Sequence, residues 1–418
     1  MKIGFVSLGC SKNLVDTEMM IGYYKEKGYE IVNNSKDAEV IVINTCGFIE
    51  SAKKEAIDTI LEMAEYKRNG NCKKLIVTGC LVERYKDELE KEIPEVDLFV
   101  PIREYDKIFE KLEYMNREIS TGKNFAYLKI AEGCSNNCTY CAIPLIRGPY
   151  ISRKFEDILE EAKKIEQKGI KELIVIAQDT TKYGIDLYGE SKLPKLLKEL
   201  CKLDFKWIRF LYAYPETITD ELIDVVKNNE KICNYFDIPI QHISDTVLKR
   251  MGRKTNGERI RNIIFKIRNE IPDVVLRTSL IVGFPGETDE DIELLDEFVR
   301  EAKFDRLGVF KYSLEDGTPA AKLKGHLSDN VKEERYEKIM ETQQKVSSNR
   351  NQKMVGKELE CMIEDITEDG EYYIARSYMD VPNEDGVEFI KNNKEHNIGD
   401  FVKAKVVSSM EYDLILEE

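Results

Sequence analysis

The segment AEGCSNNCTYCAIPLIRG spaces Cys134, Cys138 and Cys141 as Cys-x3-Cys-x2-Cys. Three thiolates on one short loop suit three irons of a cubane 4Fe-4S cluster, which normally takes four cysteines, so one iron is left open. A structural zinc site is the competing reading, but zinc closes a tetrahedron, and the loop offers no fourth Cys or His. A second set stands earlier in the chain. Cys10 ends VSLGC, Cys46 ends VINTC and Cys80 ends VTGC, each closing an apolar run of strand character. Adjacent parallel strands lie about 4.8 Å apart, so these distant thiols become neighbours at one sheet edge, where open α/β sheets bind ligands. Gly9, Gly47 and Gly79 beside them suit close backbone approach. Singly, any free cysteine is as readily a small buried hydrophobe, the reading kept for Cys72, Cys201, Cys233 and Cys361.

Elements able to hold these residues follow from periodicity. Residues 1–118 alternate short apolar runs (KIGFVSL, VIVINT, KLIVTG, DLFVP) with amphipathic stretches at 14–27, 51–66, 83–91 and 104–113. That pattern predicts a doubly wound parallel α/β domain. From 122 to 350 six further runs, FAYLKIA, ELIVIA, WIRFLY, YFDIPI, VVLRTSLIV and LGVFKY, are separated by helical segments. Six β/α units in a row predict a partial (β/α)6 barrel with its chemistry at the strands' C-terminal ends. One intervening helix opens on a Thr288-x-x-Asp291 cap and sets Ile292, Leu295, Phe298, Val299 and Ala302 on one face. After a charged helix near 330–350, residues 352–418 alternate in short strands, as a small antiparallel, OB-like β-barrel would. The chain is thus an α/β multidomain protein.

Composition narrows the class. The 418 residues are 42% hydrophobic and 34% charged, with no apolar run long enough for a membrane span, so no membrane association is expected. MKIGFVSLGC superficially resembles a lipoprotein signal but is too short for one. Ten cysteines in so Lys/Glu-rich a chain point to a reducing cytosol, where clustered thiols bind metal or do chemistry. A net charge of -15 argues against a general nucleic-acid coat.

The cysteine loop on a β/α barrel resembles the radical S-adenosylmethionine (SAM) superfamily. The resemblance implies that SAM chelates the open iron and is cleaved by one electron to a 5'-deoxyadenosyl radical. Tyr140 matches the residue against the adenine, Gln178 and Asp179 in AQDTTKYG the SAM amino end, and Ser279 and Gly283 in SLIVGFPGETDED the ribose and adenine. Each glycine here reads equally well as a turn. With its flanking domains the whole chain resembles the methylthiotransferases. That family implies a second 4Fe-4S cluster on Cys10, Cys46 and Cys80 that holds the inserted sulfur, two SAM molecules per reaction, and a C-terminal TRAM domain that helps bind the substrate.

One branch of the family modifies an adenosine of transfer RNA. The other modifies the β-carbon of an aspartate in the twelfth small-subunit ribosomal protein. SLGCSKNLVDTE, NTCGFIESAKKEAIDTI, IPIQHISD and ARSYMDVPNEDG are similar to the second branch, although Ser11 stands where it usually has Pro and Val381 where it often has Ala. The first branch tends to a GCQ-N corner instead. From Gln352 onward 7 Lys/Arg face 17 Asp/Glu, a surface that would attract a basic ribosomal protein, or one that merely aids solubility. The implied partners are that protein, free or in the ribosomal subunit, and a low-potential electron donor such as flavodoxin or ferredoxin. No dedicated nucleic-acid binding is expected, and both outer domains are expected to cap the barrel mouth. His242 either points into the barrel or is a satisfied structural histidine.

Overall fold

The computed structural model describes residues 1–105, 109 and 112–418. Half of the helix expected at 104–113 lies outside them. Strands β1 (Lys2–Ser7), β2 (Glu30–Val32), β3 (Val40–Thr45), β4 (Lys74–Gly79) and β5 (Leu98–Val100) form a parallel sheet ordered β2-β1-β3-β4-β5. β3 is buried at every position, as a central strand covered on both faces must be. Helices α1 (Ser11–Glu26), α2 (Glu50–Asn69) and α3 (Cys80–Glu92) cover it. The first and third start three residues earlier than the apolar period indicates, and so begin at the cysteines themselves. β2 carries no sequence signal, because three partly exposed residues make no pattern.

Eight strands follow: β6 (Phe125–Lys129), β7 (Ala131–Glu132), β8 (Ile151–Ser152), β9 (Glu172–Ile176), β10 (Trp207–Phe210), β11 (Tyr235–Asp237), β12 (Val275–Val282) and β13 (Arg306–Lys311). Two parallel sheets, β6-β9-β10 and β11-β12-β13, meet at a single bridge between Ile208 and Ile232. Among the described residues β13 does not pair with β6, so the six strands form an open arc. The helix Asp289–Ala302 begins with a reciprocated Thr288/Asp291 capping box and buries Ile292, Leu295, Phe298, Val299 and Ala302 against the strands.

Strands β14 (Glu358–Ile366), β15 (Tyr372–Ser377), β16 (Glu388–Lys391), β17 (Phe401–Ser409) and β18 (Leu414–Glu417) close a barrel in the order β14-β15-β16-β18-β17. It is not wholly antiparallel: β16 and β18 pair parallel. A closed ring with an odd number of strands cannot alternate direction at every seam. Nor does this barrel cap the mouth. It covers the strand starts, where Trp207 meets Phe401 edge-on at 4.9 Å and Glu172 binds Arg376 at 2.6 Å. Phe125, Tyr127, Trp207, Tyr235 and Val275 share one core with it, because these large inward-facing side chains need cover. The N-terminal domain meets the mouth. There Glu315, beyond β13, binds Arg84 at 2.9 Å and Lys53 at 3.2 Å.

Candidate active site

Order 2-1-3-4-5 has its switch point between β1 and β3, the crevice where such sheets bind ligands. Cys10 caps α1 behind β1, Cys46 directly follows β3, and Cys80 is the first residue of α3 behind β4. Helix N-termini carry partial positive charge that favours thiolates. Only glycine fits two of the corners. A Cβ on Gly9 would stand 2.7 Å from the Cys46 Cβ, and one on Gly79, whose φ is +97°, 2.3 Å from the Asn44 Oδ1. Asn13 ties the strand ends together, donating to the carbonyls of Leu8 and Thr45 at 3.0 Å each and setting its Oδ1 3.4 Å from the Cys80 sulfur. Burial pushes the Cys80 thiol up to about 12 and raises Cys46, and neighbouring thiols add to both. Three soft donors within electrostatic reach of one another, with Cys10 exposed, suit an iron–sulfur group, whose binding must displace the thiol protons. Among the described residues no three His, Cys, Asp or Glu side chains converge on a single ion.

The hairpin β7–β8 frames the second set. Gly133, with φ +70°, lets the loop pass where a Cβ would stand 2.1 Å from the Pro149 carbonyl oxygen, and Cys134 N donates to Gly148 O at 3.1 Å. Asn136 reaches Asp179 at 2.9 Å, and Thr139 donates through its amide to Met251 O and its hydroxyl to Arg250 O. The loop is thereby fixed from three sides. Burial pushes Cys141 up to about 12 and raises Cys134, so a metal bound there would have to displace both thiol protons. Tyr140 packs edge-on to Phe284 at 6.5 Å, which brings it beside Gly283. Gly283 itself is accounted for by its fold: its amide donates to Glu287 at 2.8 Å, and a Cβ would strike Lys332. Asp179 is fully buried and bound to Asn136 and Thr181, a brace on the cysteine loop, whereas Gln178 keeps an unpartnered Oε1. Ser279 lies on the half-open face of β12.

Several residues at the site carry no sequence signal. Arg147 closes the short helix Ile143–Arg147 after Cys141 and reaches across the domain boundary. It donates to Asn13 at 2.6 Å, Asp16 at 2.8 Å and Glu132 at 2.9 Å, and stands 3.9 Å from the Cys80 sulfur. Lys129 joins the same carboxylates. Buried Arg253 lies 4.3 Å from the Tyr214 ring centre with Nε and Nη1 unpartnered, facing Tyr140 and Cys138. His242 is fully buried; its Nδ1 accepts from Ser244 N at 3.0 Å, and its Nε2, without a hydrogen-bond partner, lies 3.6 Å from Glu287.

Comparison with known proteins is consistent along the whole chain. Residues 2–101 match the uncharacterized protein family UPF0004, 128–299 the radical SAM superfamily and 355–417 the TRAM domain. A protein of Alkaliphilus oremlandii named ribosomal protein uS12 methylthiotransferase RimO is 61% identical, covering 100% of this chain and 99% of the relative. Proteins of the same name from Lachnoclostridium phytofermentans and Clostridioides difficile are each 52% identical over 99% of this chain and 99% and 98% of their own lengths. Among solved structures, the radical SAM methyltransferase TsrM of Kitasatospora setae, with cobalamin and a [4Fe-4S] cluster bound, superposes with a TM-score of 0.56 at 11% identity, over 76% of each chain. The cobalamin-dependent radical enzyme OxsB gives 0.51 at 13% identity, over 82% of this chain and 56% of that one. At such identities these two speak to the fold alone.

Proposed function

The chain belongs to the RimO family of ribosomal protein uS12 methylthiotransferases, and from that membership we propose that it adds a methylthio group to the β-carbon of an aspartate of uS12. The observation that carries this reading is the contact of Arg147, from the barrel's cysteine loop, with the N-terminal corner: 3.9 Å from the Cys80 sulfur and hydrogen-bonded to Asn13. A radical site and a sulfur site that must act on one carbon need such a fixed relation.

Cys134, Cys138 and Cys141 would hold one 4Fe-4S cluster and Cys10, Cys46 and Cys80 a second. When bound, these groups with SAM supply the one-electron chemistry that opens an unactivated C–H bond and the seat for the sulfur to be inserted. The protein's own work is to orient and shield. Arg253 would offer its unpartnered Nε and Nη1 to the SAM carboxylate, and Gln178 its unpartnered Oε1 to the amino group. Tyr140 and Ser279 would border the nucleoside, while Asp179 and Gly283 shape the loops beside them. Two SAM molecules are consumed, one for the methyl group and one for the radical. A low-potential donor such as flavodoxin or ferredoxin supplies the electron. The acidic C-terminal barrel attracts the basic substrate protein.

The separate roles of the two cysteine sets are checked by substitution. Cys138→Ala should abolish 5'-deoxyadenosine formation, and Cys10→Ala should abolish methylthiolation of uS12 while 5'-deoxyadenosine still forms. Each should lower iron from roughly eight to roughly four per chain. Methylthiolation of transfer RNA with uS12 left untouched would overturn the substrate assignment.

A further inference from the structure

Nearly every buried cation around the two cysteine sets is already engaged. Lys129 and Arg147 are held by Asp16 and Glu132, and Arg277 by Asp237, Glu384 and Asp385. Lys12 differs. It is 5% exposed, two residues after Cys10, and its ammonium lies 3.0 Å from the centre of the Tyr212 ring. Among the described residues it donates no hydrogen bond and forms no ion pair. The carboxylates near enough to feel its charge, Asp237 and Glu384, are those committed to Arg277. A ring face returns only part of what an ammonium loses on leaving water.

Tyr212 adds an independent observation. Its φ is +63°, a left-handed conformation unusual and costly for a bulky side chain. The turn is held by its amide, which donates to Asp237 at 2.9 Å, and its carbonyl, which accepts from Thr180 N at 3.2 Å. Strain kept in place by such contacts aims the ring at Lys12. Two residues further on, Tyr214 lies within electrostatic reach of Cys138 and Cys134, as Tyr212 does of Cys10. The segment after β10 therefore runs from one cysteine set to the other.

We propose that Lys12, seated on Tyr212, is the binding site for the side-chain carboxylate of the residue to be modified, presenting the adjacent carbon between the two cysteine sets. This rests on the aspartate reading above. Ammonium–carboxylate hydrogen bonds are charge-assisted, and a cation already desolvated and oriented meets its partner at little further cost. A neutral amide or a nucleobase cannot replace the anion, so the same lysine selects an acidic substrate residue.

The test uses the full-length, cluster-loaded protein without reductant, so that binding is measured without turnover. Calorimetry compares uS12 with its variant in which the target aspartate is asparagine. The wild type should favour the aspartate form roughly 10- to 100-fold, the range of one charge-assisted hydrogen bond. Lys12→Gln should bind both forms alike, and Lys12→Arg should restore part of the preference. Equal binding, or no binding, of both forms by the wild type overturns the proposal with no variant needed, as does a preference retained in Lys12→Gln. If the wild type, given SAM and reductant, leaves uS12 unmodified, the substrate reading fails instead.

Discussion

At the scale of single residues, Arg147 is the hinge pin of the site. Its side chain is 2% exposed and pairs with Asp16 and Glu132, so Arg147→Met would strand two carboxylates beside Lys129 alone. Removing one partner from a buried ionic network costs about 3–5 kcal/mol, and we expect a lowered thermal midpoint together with loss of N-terminal iron, read by denaturation and metal analysis. His242 makes a different prediction. Burial drives it down to about 4 from 6.5, against nearby Asp291 and with Arg335 adding to the fall. The unfolded chain therefore takes up this proton first as pH drops, and up to about 3 kcal/mol of stability is lost between pH 6.5 and about 4. Glu287, raised by burial, works in the opposite sense. Thermal midpoints of His242→Asn should fall less steeply than those of the wild type across that window. The six cysteines stood out in the sequence because three share one short loop and three close separate apolar runs. Arg147 and Lys12 did not, because their partners come from 131 residues away in one case and from the loop after β10 in the other.

At the scale of elements, each N-terminal cysteine depends on a strand-to-helix corner that admits no extra atom. Gly79→Ala would put a methyl group 2.3 Å from the Asn44 Oδ1 on a backbone with φ +97°. Backbone strain alone costs about 1–3 kcal/mol there. The expected result is a lower thermal midpoint with the N-terminal iron lost and the barrel's iron retained, separable by Mössbauer or EPR spectroscopy. Strand positions were readable where burial is continuous: VIVINT and KLIVTG coincide with β3 and β4. Helix starts were not, since Ser11, Lys12 and Asn13 are polar residues buried for the site rather than for the core. The Thr288/Asp291 cap was readable because its geometry is local.

At the scale of the whole molecule, the C-terminal barrel is structural cover for the strand starts. Removing residues 355–418 would bare Phe125, Tyr127, Trp207, Tyr235 and Val275, an apolar face far larger than a soluble domain normally exposes. A chain ending at 354 should therefore bind a hydrophobic dye strongly and aggregate, measurable by fluorescence and light scattering. Its docking at the strand starts was hidden in the sequence, where apolar barrel positions show that they are covered but not by what. No helix among the described residues is long and apolar enough to cross a membrane.

The core under that barrel also contains Val15 and Met19 of α1, packed in one cluster with Leu414 and Leu416 of β18. Synthesis proceeds from the N-terminus at about 5–20 residues per second, so the helix capped by Cys10 emerges some tens of seconds before its final support. A chain stalled before Leu416 should therefore leave Val15 and Met19 less covered than the full chain does, readable as faster hydrogen exchange in α1.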